Sequence, residues 1–379
     1  MPRPRSRAAL AAAVALGWPG ASDAQAPHVL ITSEQATFEL VQVVAGLEHP
    51  WGMAFLPDGS LLITERPGRL RIARDGVLDP TPIGGVPEVF AQGQGGLLDV
   101  ALHPNFRRTR QLFLSYAAPE GGLAGTRVAR ARLRSEVLEE LQVIFEARPF
   151  AEGSQHFGSR LAFDRYNRLY ITLGERGTAE RAQNLLDLAG KVVRLLADGR
   201  VPAGNPLVDR ADAAPQVFSY GHRNPQGMAV HPETGEVWVN EHGPRGGDEI
   251  NVVRAGANHG WPVISHGADY LTGLPIGEGT HKDGMAQPIH YWVPSIAPSG
   301  MAFYRGRAFP QWRGDLLVGA LGGQLLARLE LAGEQVVAEE RLLTGSIGRI
   351  RDVEIDPDGL VYLLTDAPDG ALWRLQPAS

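Results

Sequence analysis

The chain contains no cysteine. Disulfides, thiolate zinc sites and cysteine nucleophiles are therefore excluded, and an exported form would be held by its core or by metal. Lysine is nearly absent, at Lys191 and Lys282 only, so almost all positive charge is arginine. Net basic character is lacking too: the formal charge is −6. No general electrostatic drive toward nucleic acid or an anionic membrane surface follows. No apolar run approaches the ~20 residues of a membrane-spanning helix. GxGxxG after a strand, the phosphate loop, HExxH and the GxSxG elbow are all missing. Nicotinamide, ATP, zinc-protease and serine-hydrolase readings lose support accordingly.

What is present is ordinary globular composition, 44% hydrophobic and 21% charged, which is not that of a disordered chain. The N-terminus has Arg3, Arg5 and Arg7, then an apolar run from Ala8 to Leu16, then small residues from Ala21 to Ala26. This order predicts a secretory signal over residues 1–24 and a periplasmic or secreted protein. An Ala-rich tail without structure is the alternative.

After the signal one pattern recurs: a turn rich in Asp, Gly, Pro or Asn, then a short apolar strand. It occurs at 57–72, 107–118, 164–177, 232–243, 313–331 and 357–376. Such strand-rich units, repeating at roughly 45–80 residues, are the mark of a propeller. Six anchors predict an all-β, six-bladed β-propeller, one domain over residues 35–379. Helical signal is weak: a turn or two is expected within 182–196, and 133–147 mixes helix-like and strand-like parts.

Residues 220–262 gather His222, Arg223, Asn224, Glu241, His242, Asp248, Glu249 and Asn251 between short apolar runs broken by Gly and Pro. A strand scaffold presenting so many polar groups on its connections reads as a site, or else as a run of solvated turns. The loop 241–251 offers carboxylates and carbonyls freed by Gly243 and Pro244, oxygen ligands that suit calcium, or an ordinary acidic turn. His156 precedes a strand and is followed by Gly158; it is a candidate general base or a structural histidine. Arg349 and Arg351 are two apart and share one strand face, so an anionic ligand or nearby acids must lie between them. Gln94, among glycines, either orients a ligand or satisfies a turn.

Taken in order, WGMAFLPDGSLLITERPGRL, GQGGLLDVALHPNF, HFGSRLAF, GHRNPQGMA, EHGPRGGDEIN, NHGWP and RIRDVEIDPDGLVYLLTD resemble the soluble pyrroloquinoline quinone (PQQ) dependent sugar dehydrogenases. The likeness covers residues 40–370 and is strongest to the bacterial aldose sugar dehydrogenase branch of that quinoprotein family, which includes soluble glucose dehydrogenases. It implies a six-bladed propeller that oxidises aldoses at C1 to lactones, using PQQ and Ca2+, with an external electron acceptor. It implies His156 as general base and Arg223 beside the reactive quinone oxygens. Gln94 and Asn224 would bond the cofactor, and Arg349 and Arg351 would pair with its carboxylates. Carbonyls of Gly243 and Pro244 would hold the catalytic calcium, with Asp248 beside them. Glu249 and the backbone of His259 would hold a second, structural calcium. Monomers and homodimers both occur in such a family. One departure stands out: Gly322 occupies a position where the family carries a cofactor-facing lysine. Two other classes compete, a calcium-dependent propeller lactonase and a non-catalytic sugar- or protein-binding propeller.

Overall fold

The computed structural model describes residues 28–378. The signal expected over residues 1–24 lies outside the described residues. Six antiparallel sheets surround one axis, and each is a blade. The first contains Pro50–Phe55, Leu61–Glu65, Arg69–Arg74 and Val77–Leu78. The second contains Leu97–Leu102, Gln111–Glu120, Leu123–Arg134 and Val137–Glu146. The third contains Leu161–Phe163, Arg168–Leu173, Lys191–Leu196 and Val217–Tyr220. The fourth contains Pro225–Val230, Val237–Glu241, Asp248–Val253 and His290–Trp292. The fifth contains Pro298–Phe303, Leu316–Ala320, Leu325–Ala332 and Gln335–Leu342. The sixth begins with Ile350–Ile355, Val361–Thr365 and Gly370–Pro377.

Every one of the six turn–strand stretches read from the sequence supplies the second strand of a different blade. Their uneven spacing has a local cause. The fourth blade makes a long excursion, residues 254–289, between its third and fourth strands.

The sixth blade is completed from the other end of the chain. Thr37–Leu47 pairs antiparallel with Gly370–Pro377, with Phe38 opposite Pro377 and Leu40 opposite Leu375. His28–Thr32 adds a further strand outside it. This closure buries Phe38 and Leu40 among Trp312, Phe309, Val361 and Leu375. A ring shut this way leaves few exposed edges.

Two local expectations need correction. Residues 133–147 form no helix: Ser135 and Glu136 both take positive φ (46° and 63°) and turn one strand back on the next. Pairing with the neighbouring strand overrides the helical propensity of the Leu–Glu run. Residues 182–196 hold only the end of a short 3-10 turn, Ala179–Gln183. The Lys191 ammonium donates to the carbonyls of Arg181, Ala182 and Ala189. With those acceptors taken, residues 184–190 run as turns and a bend into the strand that begins at Lys191.

The closure strand should carry a large share of stability. Leu40 is 1% exposed and Val29 is 47% exposed. Leu40→Ala is expected to cost about 2–5 kcal/mol in urea denaturation, through lost burial and the cavity left behind. Val29→Ala should stay within about 0.5 kcal/mol.

Candidate functional site

In an antiparallel blade, the start of the first strand and the end of the second lie at the same end. The polar residues of interest occupy those two places, blade after blade. Gln94, His156, Asn224 and Arg349 sit at or just before first strands. Arg66, Glu175, His242 and Asp366 sit just after second strands. Five of the six blades thereby deliver polar ends to one mouth of the channel; the fifth contributes Ala297 and Leu321.

Between them is a cavity of about 290 Å³, lined by Trp51, Arg66, Gln94, Gln226, His242, Arg349, Arg351 and Asp366 among others. Three guanidinium groups meet one carboxylate there. Asp366 Oδ2 accepts from Arg349 at 3.2 Å and from Arg351 at 3.3 Å, and Oδ1 contacts His49 Nδ1 at 2.9 Å. The acid between the two arginines is thus Asp366, not the sequence neighbours Asp352 or Glu354. Arg66 donates to the carbonyls of Gly93 and Gly95 and pairs with no carboxylate among the described residues. Burial pulls the Arg351 guanidinium down to about 10, so it stays cationic at neutral pH. Burial pushes the Asp366 carboxyl up, but the Arg351 charge, the His49 contact and Arg349 outweigh it and hold it below the usual carboxylate range.

His156 adjoins this cavity. Its backbone N–H donates to Gln94 Oε1 at 2.8 Å, and its Nδ1 lies 2.5 Å from Glu175 Oε2. The chain reaches this position through a left-handed bend, with φ 54° at His156 and 62° at Gly158. A Cβ on Gly158 would lie 2.7 Å from Thr172 O, so only glycine fits. Asn224 Oδ1 accepts from Gly158 N and Gln226 Nε2, both at 3.2 Å. Its Nδ2 is buried without a partner.

Arg223 stands on the other side of His242. Its Nη1 donates to His242 O at 3.1 Å and Gly243 O at 2.7 Å, and its backbone N–H to Glu241 Oε2 at 2.7 Å. Arg223, Gly243, Glu249 and His259 line a second, small pocket separated from the first by His242, which faces both. Pro244 lies farther out, its carbonyl accepting from Tyr270 at 2.9 Å. Burial and the neighbouring Glu241 push Glu249 up to about 8. Both ring nitrogens of His259 are buried without partners. Asp248 is fully engaged: it accepts from Gly243 N, Ser295 Oγ, Ile296 N and Ala297 N. Its task is to pin the 243 bend to the 295–297 loop. Among the described residues, no three His, Asp or Glu side chains converge to hold a metal ion.

The residues named from sequence therefore form two adjoining groups, Gln94, His156, Asn224, Arg349 and Arg351 in one and Arg223, Gly243, Glu249 and His259 in the other. Sequence reasoning missed Glu175, Arg66 and Asp366, and gave His242 no role beyond its place in the 220–262 stretch. A usable signal existed: an acid ends or closely follows the second strand in four blades, at Glu65, Glu175, Glu241 and Asp366.

Fold and site together define a six-bladed propeller with an anion-seeking pocket beside an imidazole–carboxylate pair. The chain belongs to the glucose/sorbosone dehydrogenase family, whose model matches residues 47–374. It is 44% identical to the aldose sugar dehydrogenase YliI of Escherichia coli over 336 residues, 87% of this chain and 91% of that protein. It superposes on a crystal structure described as glucose dehydrogenase with TM-score 0.87 and 51% identity, covering 90% of this chain and 99% of the other. The PQQ-bound aldose sugar dehydrogenase of Streptomyces coelicolor gives TM-score 0.75 at 27% identity, covering 93% and 98%.

The lowered carboxyl of Asp366 has a stability consequence. Its folded-state pKa lies below the unfolded value of about 3.9, so the unfolded chain takes up the proton first on acidification. Its contribution is full above that value and is lost as pH falls below it toward the folded-state pKa. Asp366→Asn should flatten the fall in unfolding free energy below about pH 4 in urea titrations read against pH. An unchanged slope would contradict the assignment.

Proposed function

We propose that this chain is a PQQ- and calcium-dependent aldose dehydrogenase that oxidises an aldose at C1 to the lactone. The observation that carries the reading is the charge of the pocket. Arg66, Arg349 and Arg351 face the single carboxylate of Asp366. A tricarboxylate quinone supplies the missing negative charge. Asn224, bonded through Oδ1 to the lining residues Gly158 and Gln226, keeps a donor, Nδ2, unused beside this pocket. The resemblance of the motifs and the PQQ-bound state of the Streptomyces relative support the same reading.

Arg349 and Arg351 would hold the carboxylates, with Arg66 as a third cation. Gln94 and Asn224 would orient the ring. Gly322 offers no charge, and a Cβ there would already lie 3.3 Å from Ala297 Cβ and Ile296 O. The carbonyls of Gly243 and Pro244 would hold the cofactor's calcium. Each accepts one hydrogen bond, from Arg223 and Tyr270, and keeps a second lone pair. Glu249, with the backbone of His259, would hold the second calcium, and a cation there offsets the repulsion between the buried Glu241 and Glu249 carboxyls. When bound, PQQ with its calcium supplies the electrophile that accepts hydride from the sugar C1.

The chain's own part is proton transfer and positioning. An ionised carboxylate only accepts, so Glu175 keeps the hydrogen on His156 Nδ1 and leaves Nε2 free to take the C1 hydroxyl proton. Glu175 also stabilises the imidazolium that results. Arg223 is held by the His242 and Gly243 carbonyls, which fixes its cationic fork for charge stabilisation. Electrons then pass to an external acceptor. We place the protein in the periplasm or medium, exported by residues 1–24; among the described residues no helix is long and apolar enough to cross a bilayer.

Reconstitution tests this directly. Dye-coupled oxidation of aldoses should require both PQQ and calcium. His156→Ala should keep PQQ affinity and lose turnover by ~10²–10⁴-fold. Parental turnover in that variant would remove the assigned base.

A further inference from the structure

The six innermost strands are stacked in layers along the axis. One layer lines the cofactor pocket and includes Trp51, Leu98, Gln226 and Arg351. One residue further along each strand lie Gly52, Asp99, Arg160, Gly227, Gly300 and Asp352. Two residues beyond those is a ring of five alanines and Glu354, lining a separate cavity of about 840 Å³ toward the other end of the channel.

The middle layer closes the channel between the two cavities. Arg160 Nη1 reaches Asp99 at 3.2 Å and Asp352 at 2.9 Å, in the second and sixth blades. Its Nε donates to Gln226 O at 3.1 Å, in the fourth. Asp352 Oδ2 accepts from Met53 N, in the first, and Asp99 Oδ2 from Leu161 N, in the third. The glycines make room: a Cβ on Gly52 would meet Asp99 Oδ1, and one on Gly300 would meet Asp352 Oδ1. The Arg160 guanidinium lies 4.3 Å from the Trp51 ring centre, a cation–π stack in a desolvated place. One buried side chain thus holds two residues of the pocket floor, Trp51 through its ring face and Gln226 through its carbonyl.

We propose that Arg160, clamped by Asp99 and Asp352, is a positioning residue that sets Trp51 and Gln226 as the floor of the cofactor pocket and seals that pocket from the rest of the channel. The proposal rests on the cofactor reading above. Its effect is expected on cofactor binding, because Trp51 and Gln226 line the pocket assigned to the cofactor. Removing Arg160 alone would strand two buried carboxylates. The test therefore uses Arg160→Met combined with Asp99→Asn and Asp352→Asn, since each asparagine keeps an oxygen for the Met53 and Leu161 amides.

Two readouts decide it. In the apo-protein, the near-ultraviolet circular dichroism of Trp51, isolated by subtracting a Trp51→Phe variant, should collapse in the triple variant while the far-ultraviolet spectrum is kept. With PQQ and calcium, the dissociation constant for PQQ by visible absorbance should rise tenfold or more, while the sugar KM at saturating PQQ stays within twofold. If the triple variant does not fold, Trp51→Phe, which leaves every ion pair in place, should weaken PQQ in the same direction. Parental PQQ affinity in Trp51→Phe and in any folded triple variant overturns the proposal, as does an intact Trp51 signal in that variant. Failure of the parent protein to bind PQQ would instead sink the cofactor reading, and the Trp51 signal would still decide the packing claim.

Discussion

The pairing of Thr37–Leu47 with Gly370–Pro377 is the constraint on which the rest depends. A propeller site is assembled from loops of blades that make few covalent links to one another. Only a closed ring fixes the sixth blade beside the first. Arg349, Arg351 and Asp366 come from the sixth blade; Trp51 and Arg66 come from the first. An open ring would separate the cations from the ring that floors their pocket. Stability at the rim and geometry at the axis are the same fact seen from two places.

Closure alone brings charges of one sign together, and the structure manages this with sparing use of carboxylates. Asp366 is shared by His49, Arg349 and Arg351. Arg66 is given backbone carbonyls, which satisfy its donors without cancelling its charge. The surplus is kept for a ligand. One layer deeper the balance reverses: Asp99 and Asp352 outnumber Arg160. An anionic ligand drawn to the mouth therefore meets a floor with no free cation to draw it further.

Much of the fold was legible in the sequence because each blade repeats the same local instruction, a polar turn and then a short apolar strand. The closing strand was not, since its partner is over 300 residues away and nothing local marks it. The turn or two expected within 182–196 reduces to the end of a 3-10 turn, where Lys191 takes the carbonyls of Arg181 and Ala182. In the site, His156, Asn224, Gln94 and the paired arginines stood out through unusual neighbours. Glu175, Arg66 and Asp366 looked like ordinary strand-ending residues. Their meaning is positional, visible only once second strands are known to end at the same mouth.

The central claim is that the arginine-rich pocket receives an anionic quinone next to His156. A crystal structure of the protein soaked with PQQ and calcium tests this most directly. The account predicts density for the ligand with its carboxylates among Arg66, Arg349 and Arg351, above Trp51 and within proton-transfer reach of His156 Nε2. PQQ bound elsewhere, or no density in this pocket at saturating concentration, would contradict it.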